Sequence, residues 1–482
     1  MNYRVIFNIL GKIVCVEAAF MLPAMLIAWF SGDRSGALGF GAAICVSLLL
    51  GTLFMRLRGR NNRFFARDGF VTVGLTWIVV SALGALPFWI SGAIPNYLDC
   101  LFETVSGFTT TGATILSDVE KLSPAMLYWR SFTHWLGGMG VLVFMMALST
   151  LTKKNSGESM YLLRAESPGI RITKLAPRMR RSAMILYEIY IGLTLLQIAL
   201  LLIGRMSLFD AVTLSFGTAG TGGFGVRNDS IASYSPYCQW VITAFMLVFS
   251  VNFNIYFLLL LRQFRKAAKN EELRLFLFIV LAATALVAAD TAGRYSDFAA
   301  CLRAAAFQVS SIISTTGYST VNFDLWPQVS RCVLVLLMFI GACAGSTGGG
   351  LKIVRLLVMG KAARRSVFRV LHPNSVCLIH MDGETLDEDT VHAVNTYTVL
   401  FCLIFAAATL LMSLNGQSFE TTFTAVAACI NNVGPGLGAV GPNANFAGLS
   451  YFSKLVLTIT MLIGRLEIYP ILVLFTPTMW KR

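Results

Sequence analysis

The sequence predicts an all-α integral membrane protein: an N-terminal helix hairpin followed by four pseudo-symmetric helix–pore loop–helix repeats around a central pore. Three observations predict it. Of the 482 residues, 56% are hydrophobic and only 13% charged, against about 25% charged in an ordinary soluble domain. Apolar runs near the roughly 20 residues needed to cross a bilayer recur from residue 7 to residue 478. Between successive pairs of these runs lies a shorter semi-polar segment ending in glycine and threonine, and that triplet occurs four times. With a mean hydropathy of +0.70, no large soluble domain is left over.

Two spans come first, about 7–30 and 37–55, joined by the turn-like Ser-Gly-Asp-Arg-Ser-Gly at 31–36. The first repeat places spans 69–91 and 124–151 around a short segment at 97–109, and the second places 183–204 and 237–261 around 207–219. The third uses 273–292 and 332–355 around 298–313, and the fourth 392–414 and 451–476 around 417–431. The chain thus divides into a hairpin at 1–68 and repeats at 69–182, 183–272, 273–391 and 392–482.

The formal net charge of +14 raises nucleic-acid binding, but the placement of the charge argues against it. Cations gather in alternate loops: Arg56, Arg58, Arg60, Arg63 and Arg67; then Lys153, Lys154, Arg164, Arg171, Lys174, Arg178, Arg180 and Arg181. Two further clusters are Arg262, Arg265, Lys266 and Lys269, and Lys352, Arg355, Lys361, Arg364, Arg365 and Arg369. The intervening loops carry acids such as Asp99, Asp118, Glu120 and Asp324, so the positive-inside rule puts both termini in the cytoplasm. The N-terminus shows no small-residue cleavage site, and the simplest residence is a bacterial inner membrane. Ten scattered cysteines without a C-x-x-C pair, and four dispersed histidines, give no recognisable transition-metal set.

The short segments end as Thr109-Thr110-Thr111-Gly112-Ala113-Thr114, Ala219-Gly220-Thr221-Gly222-Gly223-Phe224, Ser314-Thr315-Thr316-Gly317-Tyr318-Ser319 and Asn431-Asn432-Val433-Gly434-Pro435-Gly436. Each is too short to span, and with the positive loops opposite, all four enter from and return to the outer face. Non-helical backbone at membrane depth is tolerated only where it lines a watery cavity or is buried in protein. Loops grouped about one axis would turn carbonyls inward in place of a cation's hydration shell. One Thr-Gly pair alone reads as an ordinary membrane-edge turn; four in register do not.

At these residues the sequence resembles the Trk/Ktr/HKT superfamily of cation transporters, specifically the bacterial Trk potassium-uptake membrane subunits. The resemblance covers the whole chain: the extra hairpin, the four repeats, 109–114, 431–436 and Gly345-Ser346-Thr347-Gly348-Gly349-Gly350-Leu351-Lys352. It implies a potassium-channel-like architecture collapsed into one polypeptide, with K+ as the transported ion and no organic cofactor. It also implies a homodimer with one pore per subunit, and a cytosolic nucleotide-binding regulatory ring of the RCK/TrkA type. Carried over residue by residue, the potassium-binding filter is Thr111 with Gly112, Thr221 with Gly222, Thr316 with Gly317, and Val433 with Gly434. A serine at the first filter glycine goes with sodium preference in the superfamily, so Gly112 favours potassium. The second repeat has a spare glycine, Gly220, which leaves its register open.

A second candidate lies in the second span of repeat three, where the glycine run from Gly341 to Gly350 cannot remain a regular helix. The resemblance makes Gly345, Ser346, Thr347, Gly348, Gly349 and Gly350 a mobile loop obstructing the pore. Close helix packing through small residues is the plainer alternative. A nucleotide P-loop fails, because Leu351 stands where lysine is required.

Arg465 lies inside the last span, where an arginine is costly and by default functional. Below a ring of carbonyls it would repel potassium at rest; the alternative is a structural pair with Glu467 or another acid. Glu103, Asp210 and Glu420 are expected in pore-helix first turns, either concentrating cations or only capping helices. The basic loops at 153–181 and 352–371 would dock the regulatory ring or meet anionic lipid. The acidic stretch Asp382, Glu384, Asp387, Glu388 and Asp389 has no function assigned by pattern. An alternating-access carrier would need mid-depth acids, for which Asp290 and Glu188 are the nearest candidates, and no nucleophile–base set suggests an enzyme.

Overall fold

The computed structural model describes residues 1, 3–57, 66–140, 179–375 and 377–477. Arg58, Arg60, Arg63, Lys153, Lys154, Arg164, Arg171, Lys174 and Arg178, the span end at 141–151 and most of the 153–181 loop lie outside the described residues.

Helices Tyr3–Phe30 and Arg34–Arg56 form the hairpin, and the Asp33 carboxylate caps the second by accepting from the Gly36 amide at 2.8 Å. They pack through glycines: a Cβ on Gly11 would lie 2.5 Å from the Gly51 carbonyl oxygen, so any side chain there would push the pair apart.

Each repeat then supplies a long first helix, a short pore helix and a second helix. The first helices are Ala66–Gly84 continued by Leu86–Ile90, Met179–Ile203, Glu271–Thr291 and Glu388–Ser413. The pore helices are Tyr97–Phe108, Leu208–Ala219, Phe298–Ile313 and Phe419–Ile430, within two residues of the expected ends. At about 1.5 Å per residue, 12 residues cover about 18 Å, well short of a bilayer core of about 30 Å. Asn96, Ser207, Asp297 and Ser418 cap the four by accepting from backbone amides, which fixes where each begins.

The second helices depart from expectation. Continuous spans were expected at 124–151, 237–261 and 451–476, and only 332–355 was expected to break. Instead the helices run Pro124–Gly138, Pro236–Ser250, Gln328–Ile340 and Tyr451–Arg465, of 15, 15, 13 and 15 residues. Repeat two resumes as Phe253–Leu260 after a 91° bend, because Val251 is extended and Asn252 starts a new helix as its cap. Repeat four resumes as Tyr469–Leu474 after Glu467 and Ile468 take φ of 53° and 70°. Repeat three resumes as Ile353–Leu371 after the glycine run.

The acidic stretch acquires a structural account. Asp382, at the tip of a two-residue-per-strand hairpin (His380–Met381 with Glu384–Thr385), accepts from the Glu271 amide and the Asn270 side chain, both at 2.8 Å. Glu388 pairs with Arg365, and Lys361 reaches both Glu271 and the His380 carbonyl. The segment thus ties Ile353–Leu371 to the first helices of repeats three and four.

Candidate functional site

Each pore helix delivers the chain into the same descent. The amide of Thr111 reaches back five residues to Ser106, that of Gly222 to Gly217, that of Thr316 to Ser311 and that of Val433 to Ala428, at 2.8–2.9 Å. One residue earlier, Thr110, Thr221, Thr315 and Asn432 have φ of 54°, 55°, 59° and 55°. One residue later, Gly112, Gly223, Gly317 and Gly434 have φ of 78°, 83°, 83° and 98°. A left-handed non-glycine residue costs of order 1–3 kcal/mol, and such strain gathers where function over-determines the backbone.

The four descents meet. A Cβ on Gly112 would lie 2.0 Å from the Gly222 oxygen; on Gly223, 1.9 Å from that of Thr316; on Gly317, 2.1 Å from that of Val433; and on Gly434, 2.7 Å from that of Thr111. These contacts close a ring in chain order, and only glycine fits at its four corners. The ring opens on a cavity of about 200 Å³ lined from all four repeats, Gly112, Gly223, Gly317 and Gly434 among them. Thr111 is further held by the Asn432 side-chain amide at 2.9 Å, across the seam between the first and last repeats.

The expected register of repeat two is one residue out. Gly222 occupies the place of Thr111, Thr316 and Val433, Gly223 that of the ring glycine, and Thr221 that of Thr110. Gly220 is spare for another reason: a Cβ there would lie 2.2 Å from the His134 carbonyl oxygen, so the second helix of repeat one presses directly on this backbone.

The acids also rearrange. Glu103 is not in a first turn, which belongs to Asp99; it sits mid-helix and is buried. Its carboxylate pairs with Arg130 at 2.7 Å, the two side chains being 0% and 2% exposed, and accepts from the Thr114 hydroxyl and the Ile115 amide at 2.9 and 3.0 Å. It is therefore a strut for the limb leaving the ring. Asp210 takes the Tyr234 hydroxyl at 2.9 Å and Arg227 at 3.6 Å. Glu420 pairs with Arg331, which also stands 3.9 Å from Asp324. Lys454 similarly meets Asp99 at 2.7 Å.

Against the other side of the ring lies the loop between Ile340 and Ile353. It folds back on itself, with a Cβ on Gly341 falling 2.6 Å from the Gly349 oxygen. The Gly349 amide donates to Thr315 Oγ1 at 2.7 Å, and a Cβ on Gly349 would lie 2.5 Å from the Asn431 oxygen, so the loop touches the descents of repeats three and four. The broken helix of repeat two receives it: the Cys343 amide donates to the Ser250 carbonyl at 3.1 Å, and the Phe253 amide to that of Gly345 at 3.0 Å. Backbone groups freed by the break are thereby satisfied within the protein. Glu272 accepts from the Ala344 amide at 2.6 Å, and the Lys352 ammonium donates to the Gly348 carbonyl.

Arg465 joins this loop to repeat one. Its guanidinium donates to the Thr347 carbonyl at 2.7 Å, and to those of Gly137 and Gly138 at 2.5 and 3.0 Å. Glu467 instead takes Arg355 at 2.5 Å, and Arg355 also lies 3.9 Å from the Tyr397 ring centroid. Asp290 accepts from the Ser330 amide at 3.0 Å, bracing a helix end, and Glu188 is exposed; neither stands at the ring.

Sequence reasoning missed Arg130 and His134, one helical turn apart on Pro124–Gly138. Both touch Phe224 just beyond the ring glycine of repeat two, Arg130 at 4.0 Å from the ring centroid and His134 at 4.2 Å. The signal was a charge and an imidazole four apart inside an otherwise apolar span.

Comparison with known proteins places the chain among cation transporters. The family model for TrkH, described as a cation transport protein, matches residues 39–482. The Trk system potassium uptake protein TrkH of Salmonella typhimurium is 35% identical over 491 residues, covering 100% of both chains. TrkG of Escherichia coli, another Trk system potassium uptake protein, is 31% identical over 100% of this chain and 99% of its own. The crystal structure of the potassium transporter TrkH from Vibrio parahaemolyticus matches with a TM-score of 0.89 at 32% identity, over 100% of both chains.

Proposed function

The chain belongs to the TrkH family of cation transport proteins and so is a multi-pass membrane transporter, not an enzyme; from that premise we propose that it takes up potassium across the bacterial inner membrane through a filter of main-chain carbonyls. The observation that carries the reading is the closed ring of four glycines. The carbonyls of Thr111, Gly222, Thr316 and Val433, with those of the residues flanking them, replace the hydration shell of the entering ion. The C-terminal ends of the four pore helices converge on the ring, and their partial negative charge favours a cation there.

The loop Gly345–Gly350 and Arg465 form the gate. At rest the guanidinium, tied to Thr347, puts a positive charge beneath the filter. Opening withdraws the loop and releases that tie. Ile353–Leu371 emerges from the loop carrying Lys361, Arg364, Arg365 and Arg369, a handle on which a cytosolic nucleotide-binding ring of the RCK/TrkA type pulls. The functional unit is a homodimer with both termini in the cytoplasm, as the distribution of basic loops supports. The hairpin 1–68 and the repeats 69–182, 183–272, 273–391 and 392–482 are its building blocks.

Cells lacking their own potassium uptake, grown on limiting potassium, test this. The chain restores growth and the Gly112→Ser variant does so poorly while admitting sodium. Equal rescue and equal ion preference in the two would overturn the filter.

A further inference from the structure

Around the ring, three repeats carry a side chain immediately before the glycine, Thr111, Thr316 and Val433, while repeat two carries Gly222. Unlike Gly223, Gly222 has no left-handed φ, so its backbone conformation admits a side chain. What excludes one is His134. The three heavy atoms nearest a Cβ at 222 all belong to its imidazole: Cγ and Nδ1 at 2.2 Å and Cδ2 at 2.6 Å. The place that a filter side chain takes elsewhere is filled here from another repeat.

The imidazole does more than fill space. Nδ1 lies 2.8 Å from the Gly107 carbonyl oxygen, in the last turn of the first pore helix, and Nε2 accepts from the Phe224 amide at 3.2 Å. That pair of partners assigns the proton to Nδ1. The ring is wholly buried, and Phe224 is clasped between it and Arg130. The limb of the ring with two successive glycines is thus pinned to the first pore helix by one residue.

We propose that His134 is a positioning residue that stands in for the missing side chain of repeat two and thereby sets the ion preference of the filter. The inference rests on the ring being the ion filter. A carbonyl cage discriminates by how firmly its oxygens hold their spacing. Removing the pin lets the Gly222 and Gly223 oxygens follow a smaller ion inward.

The test measures potassium and sodium influx into proteoliposomes of the purified full chain, with Gly112→Ser as the control on the filter itself. His134→Ala lowers the preference for potassium over sodium by about tenfold, the equivalent of about 1.4 kcal/mol. Gly222→Thr alone, driven into the imidazole, also lowers it. The His134→Ala/Gly222→Thr double variant regains preference, because the threonine enters the vacated space. His134→Leu, which keeps bulk without hydrogen bonds, replaces the alanine variant if that one fails to accumulate. Wild-type preference in His134→Ala or His134→Leu, or no regain in the double variant relative to His134→Ala, overturns the role of His134 while Gly112→Ser still shifts preference. No shift in Gly112→Ser overturns the filter reading and this inference with it.

Discussion

The guanidinium of Arg465 and the main-chain oxygen of Thr347 stand 2.7 Å apart, linking the last transmembrane segment to the centre of the loop in repeat three, 118 residues earlier. One contact therefore joins a charge at the end of the last repeat's second helix to the backbone of the glycine-rich loop. In a low-dielectric site, charge and backbone hold each other, and neither moves without loss of the other's partner.

Arg465→Ala raises resting potassium flux. For a cation about 8 Å from the guanidinium and an effective dielectric of about 20, the repulsion is about 2 kcal/mol, or about thirtyfold in occupancy. Tracer rubidium influx without the regulatory partner measures it. Unchanged resting and stimulated flux would remove Arg465 from the gate.

Arg130→Ala is expected to lose folded protein before it loses selectivity. Removing one member of a buried pair leaves an uncompensated charge at a cost of about 3–5 kcal/mol, and Arg130 with Glu103 is such a pair. The Arg130→Met/Glu103→Gln double variant recovers much of the loss. Thermal stability followed by size-exclusion chromatography reads both, and a double variant no better than the single would show that the ion pair is not what matters.

Arg331→Ala is expected to tighten apparent potassium affinity about two- to threefold at low salt, since it leaves Asp324 and Glu420 without their shared cation near the outer mouth. The effect fades at high ionic strength as screening grows. Glu420→Gln shifts KM in the opposite direction, upward by at most about fivefold, because an exposed pair is worth about 0–1 kcal/mol. Initial uptake rates across a potassium series check both, and a rise in KM for Arg331→Ala would contradict the electrostatic account.

Much of the fold was legible because membranes constrain sequence strongly. Lengths of apolar runs, loop charge and the four glycine-bearing punctuations located the pore helices to within two residues. Gly341–Gly350 announced its own break, because ten residues with five glycines cannot hold a helix. The breaks at Gly138, Ser250 and Arg465 were not announced. Val251-Asn252 and Leu466-Glu467 carry no glycine or proline to mark a break, yet Asn252 caps a new helix there and Glu467 and Ile468 take left-handed φ. Register in repeat two was equally hidden, since Gly220, Gly222 and Gly223 are locally interchangeable; contact with His134 separates them.

What the amino-acid order determined by itself is the membrane class and the fourfold plan of short helices each ending in glycine. These follow from hydrophobic length and backbone permissiveness, which are local quantities. The tertiary structure alone decided which carbonyl faces which glycine, which arginine neutralises which acid, and that an imidazole from repeat one completes the ring in repeat two. Those pairings join residues up to 355 positions apart, as Lys454 and Asp99 are, and no local preference specifies a partner at that range.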